Sequence, residues 1–304
     1  MFPKENEGMM MRFENETGVG QIQAFEVFPG ILLSYSDFEL EQCESNYTRS
    51  KNMFGFEYCI KGKIQWDRQD GQSGFLGAGS FMPYDYEQSC GRFLFPQRRY
   101  QGISFGIQLS KAVGHLPLNF PVDLENLKAR FHLGKNLDLS NNLQATYILG
   151  LVQQAVHQTD IHRKLACLEL LLFLNELKWS ENPAVTLYLP NAQVKKMKQV
   201  VNMIIEHLDH RYTINELSEN FHIPITTLRR NFNMIYGCSV AQFAKKHRVE
   251  EAKRLLCETN LNTSQIASIL GYDNPSKFAA LFRSETTMSP QEYRNKIFEQ
   301  NGAL

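Results

Sequence analysis

Residues 193–298 carry one pattern twice, about fifty residues apart. The first copy runs from Thr213 to Phe232 and the second from Thr263 to Phe282. In each, a short helix meets a tight turn and a second helix follows. That second helix has two apolar positions four apart, Leu228 and Phe232, then Phe278 and Phe282. Four-residue spacing puts both on one helix face, so both pin the helix against a core. A helix held across a short turn suits insertion into a DNA major groove, and two copies suit two successive grooves.

Local signals place the helix starts. Thr213 with Glu216, and Ser289 with Glu292, make capping boxes, and Asn262 with Gln265 makes a looser version. Asn274-Pro275 puts a capping side chain before a proline at the first helical position. Val240–Cys257 has no breaker, and its stripe Val240, Phe243, Ala244, Val249, Ala252, Leu255, Leu256 predicts one helix joining the copies. Eighteen residues of helix span about 27 Å. That approaches the ~34 Å between successive groove faces on one side of B-DNA.

The two second helices differ in chemistry. The first leaves Thr226, Thr227, Arg229 and Arg230 near its outer face. Arginine pairs bidentately with guanine, and threonine meets thymine methyls or phosphates, so these are base-readout candidates. The second exposes Ser276, Lys277, Ala279 and Ala280. Ser276 and Lys277 are its readout candidates, but the alanines offer only methyl contacts. Asn274, Arg283 and Arg294 are phosphate candidates.

At these residues the chain resembles a known family. Arg248 to Leu256, Ile266-Ala, Gly271 to Phe278, Phe282-Arg and Ser289 to Arg294 are similar to the DNA-binding domain of AraC-type transcription regulators. The resemblance implies two helix–turn–helix units on seven helices, binding to double-stranded promoter DNA, and most often activation, with RNA polymerase as partner. It also implies a cupin-type regulatory domain at the N-terminus, suggested by Gly77 to Pro83. Pro224 stands where the family has a capping Ser, and Thr287 where it has a Gly; Gly237 keeps its glycine.

The zero net charge of the 304 residues conceals two unlike parts. Residues 193–300 hold 15 Lys and Arg against 11 Asp and Glu, a net +4, and the remainder is −4. Residues 1–20 read as polar, Met-rich and loosely ordered. From about 21 to 120, aliphatic and aromatic runs broken at Lys61-Gly-Lys, Asp70-Gly and Gly77-Ala-Gly79 predict short strands in a barrel or sandwich. From 138 to 178 the pattern is helical. Leu143, Tyr147, Ile148, Leu151, Val152 and Ala155 share a face, and Leu165 to Leu177 is dense in leucine. That leaves open a helix pair covering the β-domain or a homodimer seam.

The expected architecture is therefore α+β. Residues 1–137 form a cupin-like regulatory domain, 138–178 a helical segment, 179–192 a linker with Asn182-Pro183 and Pro190-Asn191, and 193–298 an all-α DNA-binding domain.

Within the β-region, Phe54, Phe56 and Tyr58 alternate onto one face, and Trp66 lies on what reads as the next strand after a turn near Gly62. They are the effector-pocket candidates, with core packing as the alternative. The first histidine of the chain is His115, so residues 21–114 offer no imidazole ligand, and no metal or cofactor is expected. The six cysteines lack CxxC spacing, and no apolar run nears eighteen residues. Both point to a cytoplasmic, non-membrane protein with reduced thiols. The leading expectation is a non-enzymatic regulator sensing an unknown small-molecule effector. A regulator controlled by a partner protein, and a barrel enzyme fused to a DNA-binding domain, are the alternatives.

Overall fold

The computed structural model describes residues 8–44, 53–68, 70–84, 91–133, 135–181, 184–185 and 188–301. The chain divides into two compact units, residues 1–191 and 192–304.

The first unit is built on β1 (Met9–Asn15), β2 (Gly18–Phe28), β3 (Ile31–Glu39), β4 (Gln42–Glu44), β5 (Met53–Asp67), β6 (Gln72–Gly77), β7 (Ser80–Tyr84), β8 (Arg92–Leu94) and β9 (Tyr100–Gln108). Then come α1 (Leu109–Ala112), α2 (Leu124–Leu133), β10 (Leu137–Asp138), α3 (Leu143–Val156), α4 (Asp160–Glu176), a 3-10 turn at Trp179–Glu181, and β11 (Tyr188–Pro190). The antiparallel ladder runs β1-β2-β3-β9-β5-β6-β11, with β7–β10 and β4–β8 branching from it. Among the described residues its ends, β1 and β11, do not pair, so of the expected barrel or sandwich the barrel is not closed.

Strand β5 organises this unit. Its first half pairs with β9 and β7, and its second half with β6 and β8. The register against β9 shifts between Cys59 and Lys61, which marks a β-bulge. Just beyond it Gly62 has φ 78°, and a Cβ there would lie 1.8 Å from the Arg99 carbonyl oxygen. The Lys61-Gly-Lys segment is therefore no turn. It lies within one continuous strand, and Ile64 and Trp66 sit on the same strand as Phe54.

The pleat sorts side chains into two layers. Phe54, Phe56 and Tyr58 join Leu33, Tyr35, Ile103 and Phe105 on the face packed with Leu127 and Phe131 of α2, Leu149 and Val152 of α3, and Leu170 and Leu174 of α4. Phe56 stacks on Phe81 at 4.7 Å, and Phe54 meets Phe131 edge-on at 5.8 Å. Trp66 lies in a separate cluster with Phe38, Cys59, Leu76, Phe95 and Tyr100. All four pocket candidates are thus buried side chains, divided between two different clusters. Each fully buried ring contributes roughly 1.5–3 kcal/mol of burial. Burial also pushes the thiols of Cys43, Cys59 and Cys167 up, to about 11, 12 and 12, so they stay protonated. Cys90 lies outside the described residues.

Three further expectations change. Residues 9–15, read as loosely ordered, pair as β1 with β2. The segment read as linker contains the 3-10 turn and β11, which pairs with β6 through Leu189↔Ser73; Asn182 and Pro183 lie outside the described residues. The helical face read on α3 splits: Ile148, Val152 and Ala155 are buried with Ala145, Leu149 and Val156, whereas Leu143 and Tyr147 are 86% and 66% exposed. On α4, Ile161 and Leu165 are likewise exposed, with Leu168 and Leu172 half-buried at the same four-three-four spacing.

The second unit comprises α5 (Asn191–Glu206, whose first residue closes the preceding unit), α6 (Ile214–Asn220), α7 (Ile225–Tyr236), α8 (Val240–Glu258), α9 (Thr263–Ile269), α10 (Pro275–Thr286) and α11 (Pro290–Asn301). Reciprocal capping boxes start α6 at Thr213–Glu216 and α9 at Asn262–Gln265. A third, Ser239–Gln242, starts α8 and was not anticipated. Ser289 and Glu292 make the same pair of bonds at α11. Helix α8, 19 residues long, spans about 28 Å.

Candidate DNA interface

Both copies present a helix whose inner face is buried. In α7 the buried residues are Leu228, Asn231, Phe232, Ile235 and Tyr236. Phe232 meets Phe243 of α8 edge-on at 5.4 Å. In α10, Phe278 and Phe282 are buried with Val249, Leu256 and Ile266.

The turns that aim these helices differ. The caps Thr213 and Asn262 are 49 residues apart, while Leu228 and Phe278 are 50 apart, so the second turn is one residue longer. In the first turn His222 takes φ 50°, and Ser218 Oγ donates to the Ile223 carbonyl oxygen at 2.6 Å. In the second, Gly271 takes φ 73°, and a Cβ there would lie 1.9 Å from the Asp209 carbonyl oxygen. The Arg211 guanidinium sits 4.4 Å over the neighbouring Tyr272 ring. The second turn therefore packs directly on the loop between α5 and α6.

Opposite these buried faces lie the residues singled out from sequence. On α7, Thr226, Arg229 and Arg230 are exposed and Thr227 is half-exposed. Pro224 precedes this helix and supplies no side-chain cap. On α10, Ser276, Lys277, Ala280 and Arg283 are exposed, and Ala279 is half-exposed. Asn274 Oδ1 accepts the backbone N–H of Ser276 at 2.8 Å and of Lys277 at 3.4 Å, so its oxygen serves the cap. The carboxylates of Glu216 and Glu292 are held below their usual range, chiefly by the backbone N–H groups of Thr213 and Ser289 that they cap.

Arg294 does not stand with them. Its guanidinium donates to the carbonyl oxygens of Leu256, Thr259 and Leu261 at 3.1, 3.4 and 2.6 Å. It closes the C-terminal end of α8, where carbonyls have no intrahelical partner, so its donors serve the fold. Arg248, which sequence reasoning passed over, does the same for the loop after α5. It is buried and donates to the Leu208 and His210 carbonyl oxygens at 2.7 and 2.8 Å. The available signal was its place among the buried Phe243, Val249 and Ala252 of α8, since a buried cation implies dedicated partners.

Thr287 ends α10 at φ 66°, ψ −1°, a left-handed conformation that a β-branched residue adopts at a cost. Thr287→Gly is expected to stabilise the domain by about 0.5–1 kcal/mol, the relief of strain minus glycine's greater unfolded entropy. Urea unfolding measures this; an unchanged or lower midpoint would contradict it.

The comparisons converge on this domain. A helix-turn-helix domain family matches residues 217–296. The uncharacterized HTH-type transcriptional regulator YisR of Bacillus subtilis (strain 168) is 32% identical over 109 residues, covering 36% of this chain and 38% of that protein. The HTH-type transcriptional activator RhaS of Yersinia pestis (strain Pestoides F) is 23% identical over 105 residues, covering 34% and 38%. The solved DNA-binding domain of AdpA, a global transcriptional factor in complex with a target DNA, is 25% identical. That match covers 34% of this chain and 95% of that one, with a TM-score of 0.33. The chain spans less than two fifths of the length of these curated relatives.

Proposed function

We infer that this chain, a member of the AraC-type transcription regulators through its C-terminal domain, binds promoter DNA with two helix–turn–helix units and regulates transcription as an activator, with RNA polymerase as its partner. The observation that carries this reading is the face of α7. Thr226, Arg229 and Arg230 are exposed on a helix pinned from behind by Leu228 and Phe232. Helix α10, with Lys277 and Arg283 beside two alanines, serves mainly as an anchor on phosphate. The test is selection of duplex DNA from a random pool by the full chain at ~150 mM salt, where non-specific binding is weak. Enrichment of two elements about one helical turn apart supports the reading. Recovery of unenriched sequence overturns it.

The first unit, a cupin-like fold in this reading, regulates the second. Control by a partner protein gains on control by a small molecule, because Phe54, Phe56, Tyr58 and Trp66 are core. No group of His, Cys, Asp or Glu that could hold a metal occurs among the described residues, and no described helix is long and apolar enough to cross a membrane.

The exposed stripes of α3 and α4 suit a homodimer. Leu143, Tyr147, Ile161 and Leu165 present apolar surface that a monomer gains nothing by exposing. Leu165→Glu is expected to convert a dimer to a monomer in sedimentation experiments. It should leave the melting temperature of the isolated protomer nearly unchanged, because Leu165 is 55% exposed.

A further inference from the structure

The buried face of α7 carries one polar side chain among its apolar ones. Asn231 lies on the inner face of α7 with only 1% of its surface exposed, among Leu228, Phe232 and Ile235. Its Nδ2 donates to Gln193 Oε1 of α5 at 2.7 Å. Its Oδ1 faces Arg230, whose Nε lies 3.5 Å away, a long contact. At the corresponding place in the second copy, 50 residues on, stands Leu281, packed with the apolar core.

Burying an amide in a helix–helix contact costs free energy unless it is bonded, so an apolar residue would serve packing better. A hydrogen bond offers what apolar contact lacks, direction. Leu228 and Phe232 resist withdrawal of the helix but tolerate small rotations about its axis. A 2.7 Å bond to Gln193 of a neighbouring helix does not. Rotation is the coordinate that matters for a side chain reading a base edge, since bidentate pairing tolerates little misalignment.

We propose that Gln193 and Asn231 are positioning residues. Their hydrogen bond sets the rotation of α7, and Asn231 Oδ1 steers the Arg230 guanidinium toward the base it reads. This rests on the base-reading role assigned to Arg230 above. A displacement of Gln193 reaches Arg230 through two contacts in series, Gln193–Asn231 and Asn231–Arg230. The anchoring copy has leucine at that place and needs no such tie.

The experiment uses the full chain and the duplex recovered by selection. Affinity for that duplex is compared with affinity for a scrambled one at fixed salt, alongside thermal unfolding. Gln193→Met keeps the shape of the side chain and removes the acceptor. It is expected to lower the ratio of selected to scrambled affinity about tenfold, within the range of one bidentate contact. Gln193→Glu keeps an acceptor oxygen and is expected to restore the ratio, even if its charge weakens both duplexes alike. In an Arg230→Ala background, Gln193→Met is expected to add nothing.

A neutral Gln193→Met with an effective Arg230→Ala overturns the tie and spares the reading role of Arg230. So does an equal loss on both duplexes with a lowered melting temperature, which marks a purely structural bond. Additive effects in the double variant also overturn it. A neutral Arg230→Ala overturns the reading role and the tie together.

Discussion

Arg230→Ala is expected to weaken binding to the selected duplex by about 1–3 kcal/mol, roughly five- to 150-fold, and to relax preference at one base pair. Arg230 is exposed on α7, whose buried face is held by Leu228, Asn231 and Phe232, so its removal costs the fold little. Lys277→Ala should behave differently. Lys277 sits in the first turn of α10, on a face where Ala279 and Ala280 offer no hydrogen bonds to a base edge. Its loss is expected to weaken all duplexes by a similar, smaller factor and to reduce the salt slope by about one. Titrations of both variants against selected and scrambled duplexes, each at several salt concentrations, separate these outcomes. Equal small effects from both would sink the division into a reading copy and an anchoring copy.

Gly271→Ala is expected to be among the most damaging single-methyl substitutions in the second unit, at about 3 kcal/mol or more. Two costs combine. The residue occupies φ 73°, which costs an L-residue about 1–2 kcal/mol. The added Cβ would also stand 1.9 Å from the Asp209 carbonyl oxygen and 2.7 Å from its carbon. These are backbone atoms held by Arg248, which bonds the flanking carbonyls of Leu208 and His210, so they cannot retreat without losing those bonds. Overpacking of that kind typically costs another 1–3 kcal/mol. Chemical denaturation measures the loss. A Gly271→Ala protein with wild-type stability would mean that the second turn is not seated on the α5–α6 loop.

What could be read in the residues tracks how local the deciding interaction is. Capping boxes involve side chains three residues apart, so Thr213–Glu216 and Ser289–Glu292 are visible as letters. Ser239–Gln242 is written in the same letters, directly ahead of the apolar stripe that begins at Val240. Strand β5 was misread because Lys61-Gly-Lys has the letters of a turn. A bulge with a left-handed glycine uses the same letters, and only the partner strands β9 and β6 distinguish the two. The alternation of Phe54, Phe56 and Tyr58 showed that they share a face but not that α2 to α4 cover it. Arg283 and Arg294 look alike as letters. One is exposed and the other reaches three carbonyls about 35 residues back in the chain, a distinction that only tertiary contact makes.

The two halves of β5 bear on how the first unit comes apart. Sheets with separate strands can open one at a time, each with its own cost. Here the ladder through β9 and β3 and the ladder through β6 and β11 both take hydrogen bonds from the one strand Met53–Asp67. Releasing that strand unzips both. Its central amides should therefore exchange with solvent only through global opening of the unit. The outermost strands, β1 and β11, are expected to exchange through local openings that leave the shared strand in place.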